Sequence, residues 1–496
     1  MHLSKSKYCR LTQCAKLFWL DKNHPELKEV DPSREDRMTT GNEVGDLAMG
    51  LFGDFTEVTT LREDGSLDIP AMLEKTRACI ESGAQVICEA SFSDQGLYCA
   101  VDILRRQGDG YAIYEVKSST HAAPIYGVDI AYQKYVLEHC GIKVTGTYLV
   151  CIDSGYVRGE ELDIQQLFKI EDMSEAVALE TPLIPSKLRL AEKTLAMEEE
   201  PVCDLGCHCR DPYDCEYWNY CSRHLPKPSV FDLYNIRFKK ALEYYYNGLR
   251  SYQDLLSVPK LNDKQMRQIQ FELTNPAAYV DKDSIRDFLN TLSYPIYFLD
   301  FETMQEVIPQ HPGTKPYQQI PFQYSLHYIE YPGGPLLHKE FLAVSGEDPR
   351  RAIAESLCRD IPANVCVTAY NKGFECGRIK ELAETFPDLA NHLMSIRANI
   401  CDLLTPFQSG HYYNRAMGGS FSIKSVLPAL FPNDPELDYH NLEGIHNGGE
   451  AMSAFPKIKD LPPQEQQIVR KNLLAYCKLD TYAMVKVWEK LVEAAK

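Results

Sequence analysis

The sequence predicts an α/β protein, and three observations support that class. Short apolar segments such as residues 294–302, YPIYFLDFE, have the length and aromatic content of buried strands. Amphipathic segments such as residues 465–495, EQQIVRKNLLAYCKLDTYAMVKVWEKLVEAA, repeat their apolar residues at helical spacing. The chain of 496 residues is 44% hydrophobic and 10% aromatic. That content is ordinary for a globular protein and suffices for more than one buried core.

The chain divides into three zones, and a chain of this length predicts about three domains. Residues 1–228 mix strand-like and helical patterns and end in a cysteine-rich stretch. Residues 229–290 are helical and poor in motifs, and residues 291–496 begin with the apolar strand and end with the long helix. We therefore expect an N-terminal domain, a helical linker and a C-terminal domain.

Charge and cysteine usage restrict the class of protein. The chain has 52 Lys and Arg against 70 Asp and Glu, a formal net charge of −18, whereas a binder of nucleic-acid phosphates needs local positive charge. Carboxylate clusters that hold divalent metals are themselves acidic, so net charge does not decide the question. No apolar run of about 18 residues and no secretory signal occur. Seventeen cysteines, an odd number, then favour a cytoplasmic protein without a membrane partner.

A first group of acidic residues lies in LYCAVDILRRQGDGYAIYEVKSS, which predicts two strands joined by a turn. Asp102 lies on the first strand, and Glu115 and Lys117, two apart, project from one face of the second. Carboxylates of this kind hold Mg²⁺ or Mn²⁺, and a lysine beside them stabilises charge at phosphorus. Glu89, at the predicted end of the preceding strand, is a further candidate ligand. A solvated hairpin with alternating charges is the alternative.

These residues resemble the PD-(D/E)XK nucleases of the RecB and AddB type. Asp102, Glu115 and Lys117 match the family motif, and the following helix, with Gln133 and Tyr135, looks like the family's substrate-binding motif. The resemblance implies a restriction-endonuclease-like fold for residues 1–228. Where these nucleases often place a histidine on an early helix, this chain has Val44.

A cluster of cysteines follows this domain. Cys209, Cys215 and Cys221 are evenly spaced in CRDPYDCEYWNYC, and Cys14 lies on the first helix. Four thiolates can hold an iron–sulfur cluster or Zn²⁺, and the spacing alone does not distinguish them. Scattered free cysteines that bind no metal are the third possibility. In a metal site, Cys203 and Cys207 are available as substitute ligands.

The resemblance to AddB-type nucleases favours the iron–sulfur cluster. Those proteins staple their nuclease domain with one cysteine before it and three after it, around a four-iron cluster. Cys14 with Cys209, Cys215 and Cys221 matches that arrangement, which implies a structural 4Fe-4S cluster with zinc as the alternative.

A second group of acidic residues lies in the C-terminal zone. Asp300 and Glu302 are two apart on the predicted strand and therefore share a face. Glu375 lies on a predicted helix, and Tyr476 and Asp480 are four apart on one face of the last helix. Carboxylates in this order can hold two metal ions around a phosphate, with Tyr476 orienting or deprotonating the attacking water. Candidate substrate-binding residues are Asn371 and Lys424.

This order resembles the DnaQ-like exonucleases, which have an RNase H-like fold and the tyrosine form of the DEDD signature. Asp300 and Glu302 match the first motif, and Tyr476 and Asp480 match the third. Glu375 stands where the family has an aspartate in the second motif. The resemblance implies a 3′–5′ exonuclease over residues 291–496.

The whole chain resembles a prokaryotic family of uncharacterised proteins that fuse a RecB-like iron–sulfur nuclease to a DnaQ-like exonuclease. The matching segments are LSKSKY–LTQC, EVKSST, PYDC, YFLDFET and YCKLDTYAM. The expected function is metal-dependent hydrolysis of DNA, in preference to RNA, at two sites in repair or defence. No nucleotide-binding loop of the GxxxxGK[ST] kind occurs, so a helicase or another repair or defence protein is an expected partner. The alternatives are a catalytically degenerate nucleic-acid-binding subunit and a zinc-stapled scaffold.

Overall fold

The computed structural model describes residues 2–30 and 34–496, which form two compact units. Unit 1 contains the described residues up to His224 together with Glu306–Tyr317. Unit 2 contains Leu225–Gln305 and Gln318–Lys496. The helical zone predicted at 229–290 therefore belongs to unit 2, and a short segment of the C-terminal zone belongs to unit 1.

Unit 1 is built on a mixed sheet. Its strands are β1 (Leu3–Ser4), β2 (Thr56–Glu57), β3 (Val86–Asp94), β4 (Leu97–Gln107), β5 (Gly110–Lys117), β6 (Val144–Ile152) and β7 (Phe168–Asp172). The order is β2-β3-β4-β5-β6-β7, and β1 pairs in parallel with β4. Strands β3, β4 and β5 form an antiparallel meander, and β6 then lies parallel to β5. The predicted hairpin is confirmed, with Gly108 at positive φ in its turn.

Helices cover both faces of this sheet. They are α1 (Lys5–Gln13), α2 (Ala15–Asn23), α3 (Arg34–Met49), α4 (Ile69–Glu81), α5 (Pro124–His139), α6 (Ile164–Leu167), α7 (Ser174–Glu180), α8 (Ile184–Leu195) and α9 (Trp218–Cys221), with 3-10 turns at Pro25–Leu27, Gly50–Phe52, Thr181–Leu183 and Cys207–Cys209. Successive residues of a strand point to opposite faces. Accordingly, Ile113 and Leu149 enter one apolar cluster, and Tyr114 and Val150 enter another.

Unit 2 is built on a second mixed sheet. Its strands are β8 (Tyr279–Val280), β9 (Ile296–Gln305), β10 (Gln319–Ile329), β11 (Leu337–Leu342), β12 (Cys366–Ala369), β13 (Ile400–Asp402) and β14 (Tyr412–Tyr413). Five of them form a sheet in the order β11-β10-β9-β12-β13, and β8 pairs with β14. The pairs β9–β10 and β10–β11 are antiparallel, and β9–β12 and β12–β13 are parallel.

The helices of unit 2 pack on this sheet and on one another. They are α10 (Phe238–Tyr246), α11 (Tyr252–Leu255), α12 (Asp263–Thr274), α13 (Lys282–Leu289), α14 (Arg350–Asp360), α15 (Gly373–Thr385), α16 (Ala390–Ala398), α17 (Thr405–Gln408), α18 (Ile423–Leu430), α19 (Gly448–Lys457) and α20 (Pro463–Ala494), with 3-10 turns at Val230–Asp232, Arg415–Met417, Pro435–Leu437, Tyr439–Asn441 and Ile458–Asp460. Helix α20 buries Leu473, Tyr476 and Cys477 along one face, which packs near β9 and β10. This contact places the third sequence motif, on α20, beside the first, on β9.

The α/β class is confirmed, and most predicted elements lie where the sequence pattern indicated them. Glu89 differs from expectation, because it lies inside β3 rather than at its end. Its φ is +58°, and the pairing of β3 with β4 skips it between Cys88 and Ala90. The register is the same on both sides of Glu89, so this irregularity interrupts the pairing opposite Asp102 without inserting an extra residue. Within the described residues, every helix is too short or too polar to cross a membrane.

Candidate functional sites

The C-terminal acidic residues converge at the middle of the unit 2 sheet. Asp300 and Glu302 lie two apart on β9, so both carboxylates project from the same face. One ligand atom from each of Asp300, Glu302 and Cys477 lies within 4.8 Å of the others. Asp480, one turn beyond Tyr476 on α20, contributes its charge to both β9 carboxyls. We call Asp300, Glu302 and Asp480 the β9–α20 carboxylate cluster.

The electrostatics of this cluster are those of anions held close together. Glu302 is 6% exposed and Asp480 is 8% exposed. Burial and the charges of Asp480 and Glu302 hold the pKa of Asp300 well above its usual range. Burial likewise raises the pKa of Asp480 to about 6. In the described part of the chain, no lysine or arginine forms an ion pair with any of the three. Among the described residues, the cluster is therefore without an ion-paired lysine or arginine.

Glu375, the predicted ligand of the second motif, lies close to this cluster. The carboxylate that acts on its pKa, however, is that of Asp402, outside the cluster. It is 2% exposed, and its Oε2 atom has no hydrogen-bond partner among the described residues. Burial, with the charge of Asp402, raises the pKa of Glu375 to about 8. Asp402 itself accepts hydrogen bonds from the backbone N–H groups of Asn371, Lys372 and Leu404. Asp402 therefore holds the loop before α15, and Glu375 remains the candidate ligand.

Two tyrosines border the cluster. Burial and the neighbouring carboxylates hold the pKa of Tyr476 far above its usual range, so its hydroxyl stays protonated near neutral pH. Tyr439, in the 3-10 turn Tyr439–Asn441, donates a 2.6 Å hydrogen bond to Asp480 Oδ1. Its ring centroid lies 6.0 Å from that of Tyr476. The sequence motifs identified Tyr476 but not Tyr439.

The two predicted substrate-binding residues of unit 2 are both exposed. Asn371 has positive φ, at +67°, in the turn after β12. Lys424 lies in the first turn of α18, and its charge lowers the pKa of both Glu302 and Asp480. Lys424 is therefore an exposed cation close enough to the cluster for its charge to act on two of the three carboxyls.

The N-terminal acidic residues converge in unit 1, but there they are neutralised by lysines. Glu115 is fully buried, and its Oε1 atom accepts a 2.5 Å hydrogen bond from Lys117. Asp102 Oδ2 accepts a 2.7 Å hydrogen bond from the backbone N–H of Val116, which fixes the carboxyl between the two strands. Burial opposes ionisation of Glu115, but Lys117 and Lys5 outweigh it and hold the pKa of Glu115 below its usual range.

Helix α5 supplies a second layer to this site. Gln133 donates a 2.6 Å hydrogen bond to Glu115 Oε2 and a 3.0 Å bond to Asp129 Oδ1. Asp129 also accepts a hydrogen bond from Lys117, at 3.2 Å. The structure thus brings Gln133 into the site. Tyr135 lies apart from these contacts and packs its ring on His139, with centroids 4.0 Å apart.

Glu89 also belongs to this acidic site. Burial and the charge of Asp102 raise the pKa of Glu89 to about 7. Burial and the charge of Glu115 raise the pKa of Asp102 to about 6. Glu89, opposite Asp102 where the β3–β4 pairing is interrupted, therefore adds a third carboxyl to the pair formed by the hairpin.

Sequence reasoning missed two charged members of the unit 1 site. Asp129 precedes Gln133 by four residues on α5, so helical spacing could have found it. Lys5, the first residue of α1, lies 2.9 Å from Glu115 Oε1 and 3.6 Å from Asp102 Oδ1. It is 110 positions away from Glu115, and no local pattern connects the two.

The cysteines converge on a small cavity between the start of α2 and residues 203–221. Cys203 and His208 line this cavity in addition to the four predicted ligands. Its five thiols are those of Cys14, Cys203, Cys209, Cys215 and Cys221. Cys207 is exposed. The cavity also contacts Leu17, Leu20 and Tyr217, which form a small apolar cluster with Trp19.

Cys203 and His208 are nearest to Cys14 in this cavity. The sulfur atoms of Cys14 and Cys203 are 3.7 Å apart, and Cys203 Sγ lies 3.5 Å from His208 Nε2. The hydrogen bond shared with Cys203 and the nearby His208 ring lower the pKa of Cys14 to about 4. Hydrogen bonds with Cys14 and Cys209 raise the pKa of His208 to about 10. The sequence indicated Cys203 only as a substitute and did not indicate His208.

One protein family matches part of the chain. A domain of unknown function, DUF2779, matches residues 297–422, which include Asp300, Glu302 and Glu375. The match leaves out α20 and all of the acidic residues of the β-hairpin in unit 1. No curated protein matches the sequence.

Proposed function

We propose that this chain is a metal-dependent nuclease that hydrolyses phosphodiester bonds of DNA or RNA at two sites. The site in unit 2 is the one the geometry supports best. The single observation that carries it is the β9–α20 carboxylate cluster, a buried group of like charges with no ion-paired lysine or arginine among the described residues. Buried charges need a partner, and a divalent cation is the partner that oxygen ligands prefer.

The residues of the unit 2 site fit Mg²⁺ or Mn²⁺. Ligand atoms of Asp300 and Glu302 lie within 4.8 Å of each other, and Glu375 Oε2 is buried without a partner. A bound divalent cation would supply positive charge to the phosphoryl group and favour ionisation of the attacking water. Tyr476, which keeps its proton, would donate a hydrogen bond that orients that water.

Lys424 and Asn371 would act on the substrate rather than on the metal. Lys424 is exposed, and its charge already acts on the carboxylate cluster, so it could pair with a phosphate next to the scissile one. The resemblance to DnaQ-like enzymes supplies the 3′–5′ polarity of this proposal. The order β11-β10-β9-β12-β13 of the mixed sheet supports an RNase H-like fold.

The unit 1 site supports a second centre of the same chemistry. Asp102 and Glu115, with Glu89, offer hard oxygen ligands to Mg²⁺ or Mn²⁺. Lys117, held by Asp129 and Glu115, would place a fixed positive charge beside the phosphate. The meander of β3, β4 and β5, followed by α5 and the parallel strand β6, supports a PD-(D/E)XK fold.

The cysteine cavity supports a structural metal group. Five thiols and one imidazole suit soft cations, either an iron–sulfur cluster on Cys14, Cys209, Cys215 and Cys221 or zinc with His208 among its ligands. Either group would join α2 to residues 203–221. Its role is to hold unit 1 together, since none of the carboxylates of the two acidic sites lines this cavity.

The test is a cleavage assay on anaerobically purified full-length chain. End-labelled single-stranded DNA and RNA are incubated with Mn²⁺ or with EDTA. Wild type is compared with Asp300→Asn, Lys117→Met and the double variant. We expect Mn²⁺-dependent cleavage, with loss of 3′-end trimming in Asp300→Asn and of the remaining cleavage only in the double variant.

Matched controls remove a charge of the same kind at exposed positions of the same unit. These are Glu330→Gln, after β10, and Lys75→Met, on α4. Both should cleave as wild type does. If neither DNA nor RNA is cut by any variant while salt-sensitive binding persists, the chain is a binding subunit with inactive sites. A colourless protein with stoichiometric zinc and no binding would instead favour the scaffold.

A further inference from the structure

A second positive charge, besides that of Lys117, lies in the acidic site of unit 1. The ammonium of Lys5 is 2.9 Å and 3.1 Å from the two carboxylate oxygens of Glu115 and 3.6 Å from Asp102 Oδ1. These are the two carboxyls that would hold the divalent cation under the proposed function. Lys5 therefore lies where an ion shared by Asp102 and Glu115 has to bind.

The carboxylate of Glu115 has no free capacity as it stands. Its Oε1 atom accepts from Lys5 and Lys117, and its Oε2 atom accepts from Lys5 and Gln133. The side chain is fully buried, so water cannot replace these donors from another direction. An ion that binds to Glu115 must displace one of the three donors.

The contacts of each donor indicate which one gives way. Lys117 is also paired with Asp129, at 3.2 Å, and Gln133 also bonds to Asp129, at 3.0 Å. Lys5 pairs only with Asp102 and Glu115 in the described part of the chain. Its side chain is 22% exposed, so part of the side chain reaches solvent. Lys117 and Gln133 keep a partner when an ion arrives, whereas Lys5 loses both.

We infer that Lys5 is a tethered counterion that occupies the cation position between Asp102 and Glu115 and competes with the divalent metal. This inference rests on the proposed function of the unit 1 site. The consequence is a threshold concentration of divalent metal for cleavage at this site. Below it, the ammonium of Lys5 neutralises the buried carboxylates. Cleavage begins only when the metal concentration suffices to displace the ammonium.

Mn²⁺ binding tests the inference directly, without reference to activity. Free Mn²⁺ is measured by electron paramagnetic resonance during titration of the full chain. The parent protein carries Asp300→Asn and Asp480→Asn, which weaken the unit 2 site. Into this parent we introduce Lys5→Met, or Lys5→Gln, which keeps a hydrogen-bond donor without the charge. Circular dichroism checks that each variant folds.

The expected result is a lower Kd for Mn²⁺ in both Lys5 variants, by about tenfold, the equivalent of one lost charge-assisted hydrogen bond. Lys7→Met is the matched control, because Lys7 is exposed on the same helix and its loss changes net charge equally. Its Kd should stay within about twofold of the parent, as expected for an exposed charge. Adding Asp102→Asn to Lys5→Met should remove the tight site.

Each other outcome is informative. An unchanged Kd in both Lys5 variants, or an equal change in Lys7→Met, overturns the inference and leaves the proposed metal site in place. Absence of Mn²⁺ binding in the parent and in both Lys5 variants overturns the inference together with the unit 1 part of the proposed function. Binding that appears only when Lys5 is replaced supports the inference in its strongest form.

Discussion

Tyr439 donates a 2.6 Å hydrogen bond to Asp480, although 41 positions separate the two residues in the chain. Burial raises the pKa of Asp480 to about 6, and this hydrogen bond opposes that rise. A donor of this kind orients a carboxylate and keeps it ionised, as outer partners of metal ligands do. Tyr439 thus acts on the proposed metal through Asp480.

Replacement of Tyr439 by Phe should lower 3′-end trimming about tenfold at limiting Mn²⁺, the usual cost of removing such a partner. The loss should shrink as Mn²⁺ is raised, because the variant weakens metal binding more than chemistry. Cleavage rates over a Mn²⁺ series measure this. Tyr331→Phe, at an exposed tyrosine, is the control. Equal losses at all Mn²⁺ concentrations would contradict a positioning role.

Replacement of Asp300 by Asn should stabilise unit 2 in EDTA. Folding raises the pKa of Asp300 through burial and its acidic neighbours, so the folded state binds its proton more tightly than the unfolded state. The penalty is therefore small at acid pH and grows as the pH rises above about 4. At pH 8, relief of about 1 kcal/mol would raise Tm by roughly 2–4 °C.

Mn²⁺ should reverse this ranking, because a ligand that binds only the folded state stabilises it. Wild type should gain more in Tm from Mn²⁺ than Asp300→Asn does. Scanning calorimetry at pH 8, with Glu330→Gln as control, measures both effects. A lower Tm for Asp300→Asn in EDTA would show that the cluster is not under electrostatic repulsion.

Replacement of Asp129 by Asn should reduce cleavage at the unit 1 site about tenfold and leave trimming by unit 2 unchanged. Asp129 anchors both Lys117 and Gln133, which contact Glu115. Its loss frees the lysine from its position beside the phosphate, and such outer contacts are worth about ten- to hundredfold. The assay is cleavage in the Asp300→Asn background. Asp109→Asn, in the exposed hairpin turn, should have no effect.

Replacement of Cys14 by Ala should remove the structural metal group and destabilise unit 1. Cys14 contacts Cys203 at 3.7 Å and, among the described residues before position 200, supplies the single thiol that lines the cavity. Loss of a structural metal costs about 2 kcal/mol or more, which lowers Tm by roughly 4 °C or more. Iron and zinc analysis with thermal unfolding measures both. Cys207→Ala, at an exposed thiol, should retain its metal.

His208→Ala distinguishes the two candidate groups. If zinc is bound through the imidazole, the variant should lose the metal as Cys14→Ala does. If a four-cysteine iron–sulfur cluster is present, iron content should be unchanged. The visible absorption spectrum of anaerobically purified protein is the readout that separates the two results.

The free energy of unfolding of unit 2 should fall at acid pH because of His327. This ring is buried on β10, where its Nδ1 atom lies 2.8 Å from the hydroxyl of Thr481 and its centroid 4.4 Å from that of His338. Burial and the neighbouring His338 lower the pKa of His327 to about 3 from an ordinary value of 6.5. The unfolded chain therefore takes up a proton below pH 6.5 before the folded chain does.

Its contribution to stability is complete above pH 6.5 and is lost as the pH falls from 6.5 toward 3. In denaturant unfolding, wild type should lose about 2 kcal/mol more than His327→Gln between pH 7.5 and pH 5.0. The comparison with the variant cancels the opposite dependence of the carboxylate cluster. His440→Gln, at an exposed histidine, should behave as wild type. An identical pH dependence in wild type and His327→Gln would contradict the assignment.

Local patterns predicted the members of each site that share one element. Asp300 and Glu302 share a strand face, and Tyr476 and Asp480 share a helix face, so periodicity alone places each pair together. The pairs meet because α20 packs near β9, which no local pattern encodes.

Members that arrive from distant parts of the chain were not predictable. Lys5 reaches Glu115 from the start of α1, and Tyr439 reaches Asp480 from an irregular loop. Glu89 lies at a backbone irregularity, and alternation along an ideal strand would not have revealed its left-handed conformation at φ +58°. The sequence patterns therefore indicated residues that converge in each cluster, but not the partners that reach them from distant parts of the chain.

The segment Glu306–Tyr317 has a practical consequence for dissecting the protein. It follows β9 of unit 2 in the chain, yet Val307 packs in an apolar cluster of unit 1 and Gly313 donates a 2.7 Å backbone hydrogen bond to Arg158. The polypeptide therefore leaves unit 1, returns to it and leaves again. A gene cut near residue 228 yields two fragments of which the first lacks part of its own core. Separate expression of the halves requires that this loop be grafted onto the N-terminal fragment, or that the two fragments be co-expressed.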